Sequence, residues 1–242
     1  MIQETKKDVA KKVAQNADKF YEFMQKKGNE GNSDYSWEYC YQRFQKTLSQ
    51  ESQYDDDELA LNLAFYLASW GMYRGSSFLT KKDYKIHIPA VQIIKEYKDL
   101  FGLECDSFQN QKIQDKLNDL IDGLKDHYKN VREDVYSLEG KKEPKSDISD
   151  TLISKILIGT LGCVPAYDKY FIYAIKKEAD FKGTLSAKKE LFDFYNDNKE
   201  IFEAVRKNFR IKGSNIIYLQ MKIVDMGFWE IGYNELKHTN NN

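Results

Sequence analysis

The chain has 242 residues, with 37 basic against 38 acidic side chains and a net charge of -1, and 41% of it is hydrophobic. Charge this balanced argues against a protein whose main task is to wrap nucleic acid, because that affinity rests on many cations set against phosphates. Only 13 Gly and 3 Pro interrupt the chain. Breakers that scarce favour long helices over short strands joined by turns, so residues 1–242 are expected to form one all-α domain, a multi-helix bundle with little or no β-structure.

The three cysteines, Cys40, Cys105 and Cys163, are odd in number and show no CxxC spacing. They support neither a disulfide framework nor a zinc site, and read as buried thiols of a cytoplasmic protein. Met1 to Lys12 is charged throughout, so a secretory signal is not expected. The longest apolar stretch, Leu59 to Tyr73, is shorter than the ~20 residues a membrane span needs. No P-loop, HExxH or dinucleotide fingerprint is present, and neither cofactor nor metal is expected.

In chain order, Val9, Val13, Ala17, Phe20 and Met24 draw one apolar stripe on an opening helix ending near Gly28. The stretch 28–34 reads as a loop, and Asp34 or Ser36 can cap a helix through Tyr41, Phe44 and Leu48. Asp55, Asp56 and Asp57 read as the capped start of the next helix, with an acidic metal cluster as the alternative. That helix is apolar on nearly every side, which predicts a buried central element at about residues 55–73. Residues 86–89 could be a short strand or an extended entry into a helix over 90–101. A long helix is expected over 111–138. The charged segment 139–147, with Gly140 and Pro144, reads as a flexible linker. Further helices are expected over 149–159, 165–178, 186–196, 199–209 and 214–231, with a frayed tail over 235–242.

Two segments depart from plain amphipathic helix. The first is WGMYRGSSF, Trp70 to Phe78. Arg74 joins the end of an apolar helix to a Gly-Ser-Ser turn, where its planar fork can grip phosphate or carboxylate and Ser76 and Ser77 can add donors. The bland alternative has Gly71 and Gly75 ending the helix while Arg74 caps its carbonyls or pairs with a buried acid. The second is GTLGCVPAYDKY, Gly159 to Tyr170. Gly159, Gly162 and Pro165 predict two helices joined by a glycine-bearing hairpin, after which Asp168 serves either as a base or as an acid set against a helix dipole. A Cys163–His87 nucleophilic pair is a further alternative.

The 17 Tyr read as core-rim residues or, alternatively, as base-stacking platforms. Two basic runs, Lys176 and Lys177 with Lys188 and Lys189, then Arg206, Lys207, Arg210 and Lys212, are where a nucleic acid would touch.

With its LASWGMYRGSSFL and GTLGCVPAYDKYF stretches the chain resembles an uncharacterised family of bacterial helical proteins, over residues 59–173 at most. That resemblance implies a bacterial or phage-borne source and no reaction. A remoter likeness, at Lys155, Gly159, Gly162 and Asp168, is to helix-hairpin-helix DNA glycosylases. Its departures are a Gly-x-x-Gly core and an Asp only six residues beyond it.

The sequence therefore leads to a binding module for an anionic small molecule or partner, in a pocket lined by Tyr73, Arg74, Ser76, Ser77, Tyr167 and Asp168. One alternative is a nucleic-acid enzyme with Asp168 as base and Lys155 beside the developing charge. The other is a protein-interaction module whose polar motifs only brace helix ends.

Overall fold

A computed structural model describes residues 5–26, 29, 32–51, 54–142 and 144–239 of the chain. Gly28, Glu30 and Gly31 of the opening loop, Glu143 of the charged segment and Asn240–Asn242 of the tail lie outside the described residues. The protein is all-α, as its scarcity of breakers implies. Among the described residues the single β-feature is an isolated antiparallel bridge between Arg210 and Ile217. The chain divides into two compact units, one comprising residues 1–31, 103–109 and 162–242, the other residues 32–102 and 110–161.

The first unit holds α1 (Lys6–Gln25), α7 (Lys169–Ala179), α8 (Lys189–Asp197), α9 (Lys199–Arg206) and α10 (Gln220–Thr239). Thr5 caps α1, and the buried face of that helix carries the whole expected stripe from Val9 to Met24. Helix α10 packs on α1, α7, α8 and α9. Its residues 221–228 are all buried, Lys222 and Asp225 included. This charged pair is tolerated because the two side chains satisfy one another, Lys222 Nζ donating to Asp225 Oδ2 at 2.8 Å. Two glycines let neighbouring backbones approach α10. A β-carbon on Gly227 would lie 2.3 Å from the Val13 carbonyl oxygen, and one on Gly232 would lie 2.1 Å from that of Tyr170. The helix expected over 214–231 starts later. Residues 209–218 fold back as a hairpin-like turn instead, clamped by Tyr21, whose hydroxyl donates to the Arg210 carbonyl and accepts from its amide.

The second unit holds α2 (Ser36–Leu48), α3 (Asp56–Ser69), α4 (Ile88–Glu96), α5 (Gln111–Leu138) and α6 (Asp150–Thr160). Helix α3 packs against α2, α4, α6 and the 3-10 turn at 84–87 that replaces the expected strand or extended entry. Trp37 ties α2 to α6 through a buried bond from its indole N–H to the Ile158 carbonyl, 2.7 Å. Helix α5 has the predicted bounds, and Asn110 caps it. The enclosure of α3 is partial. Leu59, Ala60, Leu63 and Leu67 are buried, whereas Leu61 and Phe65 are 51% and 64% exposed. The more thoroughly enclosed helix of this unit is α6, where 152–160 are all buried.

The three aspartates at the head of α3 are capping and clamping groups. Asp55 forms a full capping box with Glu58, Asp56 pairs with Lys95 at 2.9 Å, and Asp57 accepts from the Tyr84 hydroxyl. No metal-binding cluster occurs among the described residues.

Candidate functional site

Helix α3 ends in a Schellman motif. Gly71 takes the left-handed conformation at φ 72°, its amide bonds the Ala68 carbonyl, and the Met72 amide bonds the Leu67 carbonyl. The carbonyls of Tyr66, Leu67 and Ala68 are thereby filled by backbone amides, and the Trp70 carbonyl accepts from Lys155 Nζ at 2.8 Å. Arg74 caps none of these carbonyls. It stands exposed and makes no hydrogen bond or ion pair among the described residues. Its guanidinium rests over Gly71, where a β-carbon would lie 3.1 Å from Cζ and Nε. The missing side chain at 71 leaves the room the guanidinium occupies.

From Arg74 the chain enters a tight turn closed by the Ser77 amide on the Arg74 carbonyl, 3.2 Å, with Gly75 at φ 60°. Ser77 is committed to structure, since its hydroxyl accepts from the Leu79 amide at the start of the 3-10 turn 78–81. Ser76 is exposed at the tip. Arg74, the Gly75 and Ser76 amides and the Ser76 hydroxyl thus form one short run of donors facing water.

Tyr73, beside them, roots the loop in the core. Its hydroxyl lies 2.5 Å from His87 Nε2, and His87 Nδ1 lies 2.5 Å from the Tyr128 hydroxyl. His87 and Tyr128 are fully buried. Burial, with His127 beside it, pushes the His87 imidazole down to about 3, so the ring is neutral at physiological pH. Burial and the nearby Asp83 push the Tyr73 phenol up to about 12, and burial holds Tyr128 well above the usual phenol range. A neutral imidazole has one donor and one acceptor nitrogen, and the two phenols use both. His127 anchors the same region through Nε2 to the Ile86 carbonyl at 2.8 Å.

Tyr167 and Asp168 belong to the other unit. The helix hairpin expected there is instead a buried non-helical crossing: α6 runs through Thr160, residues 161–167 are buried without helical structure, and α7 starts only at Lys169. Pro165 keeps this run from continuing as helix, because proline disfavours the helical conformation in the residue before it. Asp168 is the N-cap of α7, its Oδ1 accepting from the Tyr170 and Phe171 amides at 3.0 and 3.1 Å. Its Oδ2 accepts from the Trp229 indole at 3.2 Å. One turn earlier on α10, Asp225 accepts from the Ala166 amide at 2.9 Å. Asp225 and Trp229, four residues apart, therefore fix the crossing from one helix face. Neither was singled out from sequence, although an acid and a Trp at that spacing in an otherwise apolar helix is the signal that could have found them.

The remaining sequence candidates are largely engaged. Lys155 is buried, bonded to the Trp70 carbonyl and set over the Trp70 ring. Burial pushes the Cys163 thiol up to about 12, so it carries no thiolate near neutrality, and both ring nitrogens of His87 are already occupied. In the basic runs, Lys177 pairs with Glu235, Lys188 is buried, Lys189 pairs with Asp193 and Arg206 pairs with Glu203 and Glu104. Arg210 donates to the Lys207 and Phe209 carbonyls. Seven of the tyrosines, Tyr35, Tyr41, Tyr66, Tyr128, Tyr167, Tyr195 and Tyr218, are buried core residues. Among the described residues no helix is long and apolar enough to cross a membrane.

Compared with protein-family models, curated proteins and solved structures, the chain matches none of them.

Proposed function

We propose that the chain is a binding module that receives an anionic group, phosphate or carboxylate, at the loop 70–78. The observation that carries this reading is the exposed guanidinium of Arg74, which has no hydrogen bond or ion pair among the described residues and stands next to the donors of Gly75 and Ser76. A guanidinium binds such groups bidentately through charge-assisted bonds. Tyr73 is a positioning residue here, its hydroxyl fixing the base of the loop on His87. Ser77 shapes the turn, and Ser76 is the hydroxyl left to meet a ligand. Tyr167 and Asp168, read with these residues as one pocket, are not needed for this reading, since the loop alone supplies its donors.

The nucleic-acid alternative has less support. Asp168, its proposed base, has both oxygens engaged, Lys155 is bonded to a backbone carbonyl, and acids or burial take up much of the basic runs.

Titration calorimetry with inorganic phosphate and pyrophosphate tests the proposal. Saturable binding is expected, weakened about tenfold or more by Arg74→Ala and partly retained by Arg74→Lys. Binding unchanged in Arg74→Ala would remove Arg74 from the site.

A further inference from the structure

We propose that the basic hairpin at 209–218 is a second binding site, for a sugar phosphate, with Arg210 gripping the phosphoryl group and Gln25 and Asn215 bonding the sugar hydroxyls. Its residues all belong to the first unit, and it does not depend on the reading of Arg74.

Between Glu203 and Asp225 the chain carries no acidic residue and five cations, Arg206, Lys207, Arg210, Lys212 and Lys222. Arg206 and Lys222 pair with those two bounding acids. The other three stand on the hairpin or on the end of α9 that enters it. Arg210 is fixed in place. Its Nη1 donates to the Lys207 and Phe209 carbonyls at 2.5 and 3.2 Å, and Tyr21, stacked on Phe209 with ring centroids 4.2 Å apart, clamps its backbone. Nε and Nη2, the opposite edge of the guanidinium, have no partner among the described residues. Two parallel donors on a held plane are the fork that takes two oxygens of one phosphate. The anchored edge also removes rotamer freedom that binding would otherwise have to remove.

The surroundings of the fork decide what the phosphate carries. Tyr21 and Gln25 of α1 and residues 210–215 line an open depression of about 370 Å³, the size of a small-molecule site and roomier than a bare oxyanion needs. Among the described residues no carboxylate lines it. Gly213 turns the tip at φ 72°, and the Gly213 and Asn215 amides make no hydrogen bond among the described residues. Ser214 is committed to the turn, its hydroxyl donating to the Ile211 carbonyl and accepting from the Ile216 amide. The carboxamides of Gln25 and Asn215 remain, both exposed and without a hydrogen bond among the described residues. A carboxamide donates through its nitrogen and accepts through its oxygen, which matches the hydroxyls of a sugar. Three cations are few for a nucleic-acid backbone, whose affinity grows with the number of phosphates met. One anchored fork beside two carboxamides suits a single phosphoryl group on a hydroxylated body.

Backbone amide shifts of the full chain, titrated with glucose 6-phosphate, glucose and inorganic phosphate, test this. Saturable changes over 210–215 are expected with glucose 6-phosphate and none with glucose. Arg210→Ala is expected to weaken the binding about tenfold or more, and Arg74→Ala to leave it unchanged. Because Arg210 also braces the turn, a second variant reads the site without touching that brace. Gln25→Ala combined with Asn215→Ala, both exposed and unbonded, is expected to weaken glucose 6-phosphate by roughly two- to tenfold for each bond lost and to leave inorganic phosphate as it was. Glucose 6-phosphate changes that miss 210–215, or that are indifferent to Arg210→Ala, would overturn the site. A double variant that binds glucose 6-phosphate as tightly as the wild type, or loses both anions equally, would overturn the sugar assignment. A single-stranded oligonucleotide binding here with a salt dependence steeper than three phosphate contacts give, while glucose 6-phosphate does not bind, would put nucleic acid in its place. A silent 74–76 loop with changes intact at 210–215 would count against the Arg74 reading alone.

Discussion

Lowering the pH from about 7 to about 5 is expected to remove roughly 2 kcal/mol of the stability of the unit that holds His87. The imidazole is held down to about 3 by burial and by His127, and in the unfolded chain it returns to 6.5. Between these values the unfolded state binds a proton that the folded state refuses. Stability therefore rises with pH across this window, is fully present above about 6.5, and is lost as the pH falls toward 3. His127 is also held below its usual value, chiefly by burial, and works in the same direction. The carboxylates whose values are lowered, such as Asp56 and Glu203, lose their contribution mostly below pH 5, so the interval from 7 to 5 isolates the histidines. Urea unfolding at several pH values measures the slope. His87→Gln should flatten it to the part due to His127; a slope as steep in His87→Gln as in the wild type would show that the Tyr73–His87–Tyr128 chain is not what senses pH.

A single methyl group on α10 is expected to cost about 2–4 kcal/mol. In Gly227→Ala the new carbon would sit 2.3 Å from the Val13 carbonyl oxygen, and that neighbour is backbone of α1, which can yield only by moving the helix. Alanine's better helix propensity, worth up to about 1 kcal/mol, offsets part of this. Gly123→Ala on α5 supplies the contrast. Its β-carbon would lie an ordinary 3.7 Å from an Ile93 methyl, so propensity wins and stability should rise by about 0.5–1 kcal/mol. Chemical denaturation of the two variants should give opposite signs, and a Gly227→Ala protein as stable as the wild type would contradict the close approach of α1 and α10.

What could be read from the sequence was local and periodic. The stripe from Val9 to Met24, the bounds of α5 and the capping role of Asp55 all follow from spacing within one element, and all appear in the structure. Long-range pairing was not legible. Gly159, Gly162 and Pro165 look like a helix hairpin because nothing near them shows that Asp225 and Trp229, some sixty residues later, anchor the chain at Ala166 and Asp168. His87 was recognised as packed, but the phenols that fix its two nitrogens lie 14 and 41 residues away. Helix α3 misled in the other direction. Hydrophobicity on every side implied full enclosure, yet Leu61 and Phe65 are exposed. At Arg74 the sequence posed anion gripping against helix capping or an ion pair, and the Schellman bonds of Gly71 and Met72, which lie beyond any short-range pattern, bear only on the capping alternative.

The most direct test of the anion-binding account is a map of backbone amide shifts while the chain is titrated with inorganic phosphate. Saturable changes centred on Arg74, Gly75 and Ser76, absent in Arg74→Ala, are the predicted result. Changes confined to other parts of the chain, such as the 209–218 turn, and indifferent to Arg74→Ala would contradict it.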